Sequence, residues 1–432
     1  MIKRYKFRRL IAPTAGFRKA LILTAIGLFI FLIGLAYTIK QILIPLGEWT
    51  NSLLLNYVSK DELPAAVHWL GLICLILGGI VIVLGVNSAI RHMMETIYPT
   101  ARGGMVDMYR RRQQLAQGPN IVAIGGGTGL STLLRGLKQH SSNITAIVTV
   151  TDDGGSSGRL TQEMGIIPPG DIRNCLVALA DAEKSMTDLF QHRFTKGGAG
   201  LTGHSMGNLL IAAMVEQSQG DFEKAVVKIS DVLAIRGRVI PSTLDHVRLR
   251  AILDDGTEVC GETKIVEAGR AIRQLVLDPP NVEPHHGALH AIGEADIIVI
   301  GPGSVYTSLI PNMLVPGIAQ AVRESHAIKV YVCNVMTQPG ESDKFTACEH
   351  VTGMQTNVKV RVFDYVLINN AMPSQAAIEK YREVGQHYVE PDADRIRAMG
   401  FRVITGDFMN ESDFVRHDPN KVADKLMQLV ER

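Results

Sequence analysis

A glycine-rich turn is the first feature of this sequence with an evident chemical use. The apolar run 121–124 leads directly into the segment GGGTG at 125–129. Glycines at a strand-to-helix turn let backbone N–H groups and the helix N-terminus face an anion. No Gly-Lys-Ser/Thr follows, as a P-loop requires, and Leu130 and Thr132 stand where the dinucleotide fingerprint has its last glycine. The turn therefore predicts contact with a phosphate group. It matches neither a P-loop nor an NAD-binding site.

Two acidic residues close the next apolar run, 144–150. Asp152 and Asp153 begin the segment DDGGSSG. A carboxylate at the end of such a strand can reach a ribose hydroxyl or a hydrated Mg²⁺ ion. The same residue types also form turns and cap helices. The pair is a candidate metal and nucleotide site, with a structural role as the alternative.

Two further polar segments hold candidate ligand-binding groups. In PPGDIRN at 168–174, Asp171 can cap the following helix, and Asn174 lies in its first turn, where it can face a ligand. GHSMG at 203–207 matches the G-x-S-x-G signature of serine hydrolases, but a glycine-rich loop precedes it where those enzymes have a strand. We therefore expect His204 and the helix after it to lie near a ligand, without a serine nucleophile.

Short β-branched runs alternate with amphipathic stretches in the segments that position these residues. Strands are predicted at 121–124, 144–150, 296–300, 329–334 and 365–368, with helices at 130–139 and 208–217. This alternation is typical of a doubly wound, mostly parallel α/β sheet, in which ligands bind at the shared edge of the strand carboxyl ends. A small β insertion is predicted at about 236–280, because 247–262 alternates around the hairpin signal DDGT.

Length and composition limit the class of protein. The 432 residues exceed one compact core, and a mean hydropathy of +0.14 fits a small membrane part joined to a larger soluble part. Residues 1–118 carry fourteen Lys/Arg against five Asp/Glu, whereas the remainder carries thirty against thirty-seven. We therefore expect no nucleic-acid partner for the soluble part. Five cysteines without a CxxC pair indicate reduced thiols in a cytosolic setting.

Two uncharged stretches predict a transmembrane hairpin within residues 1–118. The first spans 20–39 and the second about 67–90, and twenty helical residues cross about 30 Å of hydrocarbon. Lys and Arg are concentrated before the first stretch and after the second, so both termini are predicted to face the cytoplasm at the inner membrane. We expect this hairpin to anchor a soluble domain at 119–432.

Seven segments, in order, resemble the bacterial gluconeogenesis factor family, also called YvcK. They are GGGTGLSTLLRGLK (125–138), ITAIVTVTDDGGSSGRL (144–160), PPGDIRNCLVAL (168–179), GHSMGNLL (203–210), GRVIPST (237–243), GPGSVYTSLIPNMLVPGI (301–318) and YVCNVMTQPGES (331–342). That family is similar in turn to 2-phospho-L-lactate transferase, an enzyme of coenzyme F420 biosynthesis. The resemblance covers about residues 120–432.

The resemblance implies a Rossmann-like fold, a cytosolic role in cell shape and in growth on gluconeogenic carbon sources, and binding of a UDP-sugar such as UDP-N-acetylglucosamine. By motif, the ligand-lining residues that it implies are Gly126, Gly127, Thr128, Gly129, Asp152, Asp153, Asn208, Gly303, Ser304, Tyr381 and Arg416. Tyr381 could stack on uracil and Arg416 could pair with the diphosphate. Two departures are the N-terminal hairpin and the segment GESDKFT at 340–346, where the family has GETDGYT.

Two functional hypotheses from different classes follow. The first is a membrane-tethered UDP-sugar sensor that regulates cell-wall metabolism through a protein partner in cell-wall synthesis, within a homo-oligomer. The second is a Mg²⁺-dependent transferase of the 2-phospho-L-lactate transferase type, with the metal at Asp152 and Asp153. An NAD-dependent oxidoreductase is disfavoured, because the fingerprint fails at Leu130. The first hypothesis is preferred because no nucleophile with an adjacent base is evident.

Overall fold

The computed structural model describes residues 44–45, 47–97, 105–181, 183–198, 200–411 and 415–431. The chain divides into two compact units, Met1–Met105 and Val106–Arg432. The second unit begins before residue 119, the predicted start of the soluble domain. The residues just before 119 pack on the second unit. Leu115 is buried there, and its carbonyl accepts a hydrogen bond from the Ser142 backbone N–H (2.8 Å).

A long apolar helix, α1 (Leu63–Ile97), dominates the described part of the first unit. Its segment Leu63–Gly85 has a mean hydropathy of 2.6, and none of its described side chains is buried, so by length and composition it is able to cross a membrane. The second predicted span, 67–90, lies on this helix. The first predicted span, 20–39, lies outside the described residues. The two-helix transmembrane hairpin therefore stays a prediction.

Short helices surround the sheet of the second unit. They are α2 (Met105–Ala116), α3 (Gly127–Leu137), α4 (Gly155–Met164), α5 (Gly170–Leu179), α6 (Glu183–Gln191), α7 (Met206–Gln217), α8 (Phe222–Leu233), α9 (Glu262–Ala268), α10 (His286–Glu294), a π-helical turn (Val305–Leu309), α11 (Ile310–Leu314), α12 (Ile318–Glu324), α13 (Ala347–Val358), α14 (Gln375–Glu383), α15 (Ala393–Ala398) and α16 (Pro419–Val430). Several begin at a capping side chain; Asp221, for example, accepts a hydrogen bond from the Lys224 N–H (2.9 Å) at the start of α8.

Twelve strands are present among the described residues. They are β1 (Ile121–Gly125), β2 (Ile144–Val148), β3 (Arg238–Pro241), β4 (Arg248–Leu253), β5 (Glu258–Cys260), β6 (Ile272–Asp278), β7 (Ile297–Ile300), β8 (Ile328–Val332), β9 (Tyr365–Asn369), β10 (Arg402–Gly406), β11 (Met409–Glu411) and β12 (Val415–His417). Seven of them form one sheet in the order β10-β9-β8-β7-β1-β2-β3, and every pairing in it is parallel. The predicted α/β architecture with a mostly parallel sheet is confirmed.

The sheet is buried on both faces, which explains its nearly continuous apolar strands. In β1, Ile121 and Ala123 point into one core layer, while Val122 and Ile124 point into the other. Chain order runs outward from β1 to β3 on one side and from β7 to β10 on the other. The reversal lies between β1 and β7, and open α/β sheets bind ligands at the carboxyl ends of strands at such a point.

The predicted β insertion is a separate antiparallel sheet in the order β5-β4-β6. It runs from Arg248 to Asp278 and carries α9 between β5 and β6. The predicted start at about 236 was too early, because β3 pairs with β2 in the main sheet. The sequence signal at 247–262 correctly placed the β4-β5 hairpin. The β11-β12 hairpin near the C-terminus had no counterpart in the sequence prediction.

Candidate functional site

A cavity of about 620 Å³ lies at the carboxyl ends of β1, β7 and β8. Eight of the residues implied by the family motifs line it together: Gly126, Gly127, Thr128, Gly129, Gly303, Ser304, Tyr381 and Arg416. The other lining residues include Glu262, Val266, Asn334, Gln338, Glu341, Lys380, Val384, Gln386 and His417. Since these groups come from separate stretches of the chain, only the fold brings them to one place.

The first glycine turn forms the floor of the cavity and leads into α3. Gly127 has φ of +62°, in the left-handed region that glycine adopts most easily. A Cβ atom on Gly126 would lie 2.5 Å from Asp171 Oδ2, and one on Gly129 would lie 2.4 Å from the Pro302 carbonyl oxygen. The turn is therefore glycine-rich because its backbone contacts two other segments closely, and its N–H groups lie at the start of a helix.

The turn after β7 packs against the first turn and is fixed by hydrogen bonds. Asn334 clamps Gly303, donating from Nδ2 to its carbonyl (2.9 Å) and accepting its N–H at Oδ1 (3.1 Å). Ser304 caps the π-helical turn by accepting from the Thr307 N–H (3.4 Å). Two helix starts, at α3 and at the π-helical turn, thus face the same cavity, and backbone N–H groups at helix starts favour anions.

Helix α14 and the β11-β12 hairpin form one wall of the cavity. The Val415 N–H donates to Tyr381 Oη (2.8 Å), and the Ser374 N–H donates to Glu411 (2.9 Å), so the helix is tied to the hairpin at two places. Tyr381 and Arg416 both line the cavity from this wall. With Lys380 beside them, the wall combines an aromatic ring with two cationic side chains.

Two glutamates also line the cavity. Glu262 begins α9 in the β insertion, and burial, followed by repulsion from Asp152, raises its pKa well above the usual range. Glu341 is 5% exposed; burial raises its pKa, while hydrogen bonds from Ser304 and Thr307 oppose that rise. Thr307 Oγ1 donates to Glu341 Oε1 at 3.0 Å, and Ser304 Oγ donates to Oε2. Burial therefore disfavours the charged form of both carboxyls.

Asp152 and Asp153 lie near Glu262 and do not line the cavity directly. Asp153 Oδ1 accepts from the Thr263 backbone N–H (2.9 Å) and from Thr263 Oγ1 (2.8 Å), which ties β2 to the insertion. Asp152 Oδ1 accepts the Gly154 N–H (3.0 Å) and so forms the turn. Among the described residues, no group of three or more His, Cys, Asp or Glu side chains is arranged to hold a metal. Metal binding by this pair stays a prediction.

Asn174, His204 and Asn208 belong to a buried network around Arg173 and do not line the cavity. Arg173 donates to Asn208 Oδ1 (2.9 Å) and Asn174 Oδ1 (3.0 Å), and His204 Nδ1 lies 2.9 Å from Ser156 Oγ. The hydroxyl of Ser205 caps α7 and accepts from Arg173. These polar groups bind one another because they are buried, and a buried polar group needs a partner. Their ligand contacts stay predictions.

Several cavity residues escaped the sequence reasoning. Glu341 and Asn334 lie inside the motif YVCNVMTQPGES, but no role was attached to them. Glu262 is an acid at the first position of a short helix, a pattern that also occurs on many surfaces. His417 is buried beside Arg416, and burial lowers its pKa to about 4, so it is neutral at pH 7. Asn334 could have been noticed, since it ends the predicted strand 329–334, whereas Glu341 lies seven residues further along the chain.

The carboxyl of Asp171 is the group in this region with the clearest pH dependence. It is half-buried, accepts a hydrogen bond from the Gly127 N–H, and has its pKa raised from 3.8 to about 6 by desolvation and then by Asp152. The folded state therefore holds a proton that the unfolded state releases between about pH 4 and 6. The stability from this group is present below about pH 4 and is lost as the pH rises through 6, by up to about 3 kcal/mol.

Asp171→Asn keeps the acceptor for Gly127 and removes the titration. We expect the free energy of unfolding of this variant, relative to wild type, to rise between pH 4.5 and 7.5 in urea titrations followed by circular dichroism. Asp188→Asn, an exposed change on α6, serves as the control and should show a constant difference from wild type. Parallel curves for wild type and Asp171→Asn would contradict the assignment.

Comparisons with known proteins agree on one family. The family model for 2-phospho-L-lactate transferase CofD matches residues 121–409. The gluconeogenesis factor of Bacillus subtilis is 48% identical over 73% of this chain and 99% of its own length. A crystal structure of a UPF0052 family protein from Bacillus halodurans matches with a TM-score of 0.69 and 46% identity, over 72% of this chain and 99% of that chain.

The N-terminal unit is shared with at least one relative. A protein of Nostoc sp. that carries the gluconeogenesis factor name is 44% identical over 97% of this chain and 91% of its own length. A match of that extent includes most of residues 1–118. The match to the Bacillus subtilis relative covers 99% of that protein but only 73% of this chain. That relative therefore lacks a unit comparable to residues 1–118. The first unit is therefore an extension found in some relatives and absent from others.

Proposed function

The chain belongs to the gluconeogenesis factor family and carries a CofD-type domain, and from this premise we propose that it is a membrane-tethered regulator that binds a UDP-sugar. The cavity at the carboxyl ends of β1, β7 and β8 is the binding site. The observation that carries the proposal is the meeting, in this one cavity, of two glycine turns with Tyr381 and Arg416. UDP-N-acetylglucosamine is the expected ligand.

Each part of a UDP-sugar has a counterpart in the cavity. The diphosphate would lie at the glycine turns, where the N–H groups at the starts of α3 and the π-helical turn favour an anion. Arg416 and Lys380 would add positive charge from the neighbouring wall. The Tyr381 ring, held by its hydroxyl contact to Val415, would stack on the base.

The apolar helix α1 supports the membrane part of the proposal. Its segment Leu63–Gly85 is long enough to cross a bilayer, and the Lys/Arg excess of residues 1–118 favours a cytoplasmic orientation of the ends. A UDP-sugar sensor held at the inner membrane would lie where cell-wall precursors are consumed. Regulation of cell shape through a protein partner, in a homo-oligomer, is the proposed output.

Calorimetric titration of the full-length chain in detergent micelles tests the proposal. The ligands are UDP-N-acetylglucosamine, UDP-glucose, GDP and NAD, each with and without Mg²⁺. We expect binding of the UDP-sugars, undiminished by removal of Mg²⁺, and none of GDP or NAD. Absence of a heat signal with every UDP-sugar, in a sample shown to be folded by circular dichroism, would overturn it.

A Mg²⁺-dependent transferase is the second candidate function, favoured by the carboxylates next to the cavity. Mg²⁺ in proteins is commonly held by one or two carboxylates together with waters, which Asp152 and the second oxygen of Asp153 could supply. When bound, the ion would neutralise charge on a transferred phospho group. This function predicts Mg²⁺-dependent turnover of a nucleotide-activated donor, lost in Asp153→Asn while binding is kept.

A further inference from the structure

The loop between β8 and α13, residues 333–346, contacts two parts of the cavity at once. Asn334 and Glu341 on this loop bond the turn that follows β7. Between them, the Thr337 N–H donates to the His387 carbonyl (2.7 Å), and the His387 N–H donates to Thr337 Oγ1 (2.9 Å). The second contact fixes the loop to the segment just after α14. A loop that is itself fixed can hold the turn in one place.

Asn334 holds Gly303 by both of its backbone polar groups. Nδ2 donates to the Gly303 carbonyl (2.9 Å), and Oδ1 accepts the Gly303 N–H (3.1 Å). Glycine has more backbone freedom than any other residue, so a turn rich in glycine loses the most conformational entropy when it is ordered. Gly301 in the same turn has φ of +84°. The two bonds from Asn334 therefore restrain a turn that would otherwise be free to change shape.

Glu341 holds the next residue of the turn through hydroxyl groups. Its oxygens accept hydrogen bonds from Ser304 Oγ and from Thr307 Oγ1, the second at 3.0 Å. Ser304 Oγ also accepts the Thr307 N–H (3.4 Å), so the Ser304 hydroxyl is used within the protein both as donor and as acceptor. Both carboxyl oxygens of Glu341 are likewise bonded inside the protein. Glu341 is thus placed to orient the turn.

Building on the proposed UDP-sugar binding, we propose that Asn334 and Glu341 are positioning residues, which hold the turn after β7 in the conformation that binds the diphosphate. They act through Gly303 and Ser304, whose places in the turn they fix. A site that is ordered before its ligand arrives loses less entropy on binding, so it binds more tightly. The effect concerns the phosphate groups, because the base is assigned to Tyr381 on α14, a separate element.

Uridine and UDP test the proposal, since they share the base and the ribose and differ in the diphosphate. Their Kd values are measured by calorimetry on the full-length chain in detergent micelles, with uridine measured through its competition with UDP. We expect Asn334→Ala to weaken UDP binding at least about tenfold, the equivalent of a lost pair of hydrogen bonds. Uridine binding should stay unchanged, so the ratio of the uridine Kd to the UDP Kd should fall by the same factor.

Glu341→Gln and Glu341→Ala test the same turn independently of how well Asn334→Ala folds. In Glu341→Gln, the amide can accept from Thr307 and donate to Ser304, so this variant should keep most of its UDP affinity. Glu341→Ala loses both bonds and should bind UDP about tenfold more weakly, with uridine binding unchanged. Equal loss in the two variants would show that the carboxyl acts through its charge, and would overturn its positioning role.

Asn143→Ala is the matched control. Asn143 also bonds backbone groups with its side chain, donating from Nδ2 to the Gly118 carbonyl (2.8 Å), but it lies just before the amino end of β2 and does not line the cavity. Its Kd ratio should equal that of wild type. If folded Asn334→Ala weakened uridine and UDP binding equally, or weakened neither, the inference would be wrong and UDP-sugar binding would stand. Failure of wild type to bind both UDP and UDP-N-acetylglucosamine would instead overturn the proposed function.

Discussion

Arg416→Ala is expected to weaken UDP-sugar binding about 100-fold. Arg416 lies on β12, between the inward-facing Val415 and His417, and lines the cavity next to Lys380. An arginine fork that binds a diphosphate makes charge-assisted hydrogen bonds, and its loss costs about 3 kcal/mol, which corresponds to about 100-fold in Kd. Titration of wild type and variant with UDP-N-acetylglucosamine measures the change.

The charge and the geometry of Arg416 can be separated by two companion variants. Arg416→Lys keeps the charge but loses the paired donors, so its affinity should fall between wild type and Arg416→Ala. Arg382→Ala removes an exposed arginine from α14 that does not line the cavity, and its Kd should match wild type. If Arg382→Ala weakened binding as much as Arg416→Ala, general positive charge would explain the effect and the assigned contact would be wrong.

Gly129→Ala is expected to abolish UDP-sugar binding and to lower stability by about 1–3 kcal/mol. Its Cβ atom would lie 2.4 Å from the Pro302 carbonyl oxygen and 2.8 Å from the Pro302 carbonyl carbon, closer than unbonded atoms approach. The turns after β1 and β7 would have to separate, and overpacking of this kind costs about 1–3 kcal/mol. Since both turns face the same diphosphate, their separation should reduce affinity by more than about 100-fold. Calorimetry and urea denaturation measure the two effects.

Gly293→Ala provides the matched comparison. Gly293 lies inside α10, and nothing lies within 4 Å of the position that its Cβ would occupy. Alanine favours a helix interior over glycine by about 0.5–1 kcal/mol, so this variant should be slightly more stable than wild type and should bind normally. Full binding by Gly129→Ala would show that the two turns need not touch for the ligand to bind.

The two units of the chain correspond to the two parts of the proposed function, a ligand-binding domain and a membrane anchor. The second unit corresponds in extent to the Bacillus subtilis relative, which matches 73% of this chain. The first unit adds the apolar helix α1 and recurs in the Nostoc relative. Under the proposed function, a domain that occurs with and without the first unit must hold its ligand site within itself. The cavity satisfies this requirement, since all its lining residues belong to the second unit.

Most strands were predictable because their signals are local. β1, β2, β7, β8 and β9 are buried on both faces and read as short apolar runs that end in polar turns. β3 was assigned to the insertion because its four residues, RVIP, give no sign of which sheet they join. β10 was missed because its sequence RVITG holds only two apolar side chains, in keeping with a strand that is only partly buried. Both the sheet that β3 joins and the presence of β10 depend on pairing with strands that are distant in sequence.

The sequence by itself determined the strand-to-turn transitions, the glycines that allow close backbone approach, and the apolar stretch that became α1. These features depend on residue type and on spacing within one segment, and both are legible in the order of residues. Only the tertiary structure decided which polar groups face the cavity. Asp153 accepts a hydrogen bond from Thr263, 110 residues away, and Arg173 donates a hydrogen bond to Asn208. Burial forces such groups to find partners, and contacts between distant segments leave no periodic pattern in the sequence. For the same reason Glu262, in an unremarkable short helix, was placed at the site by the fold alone.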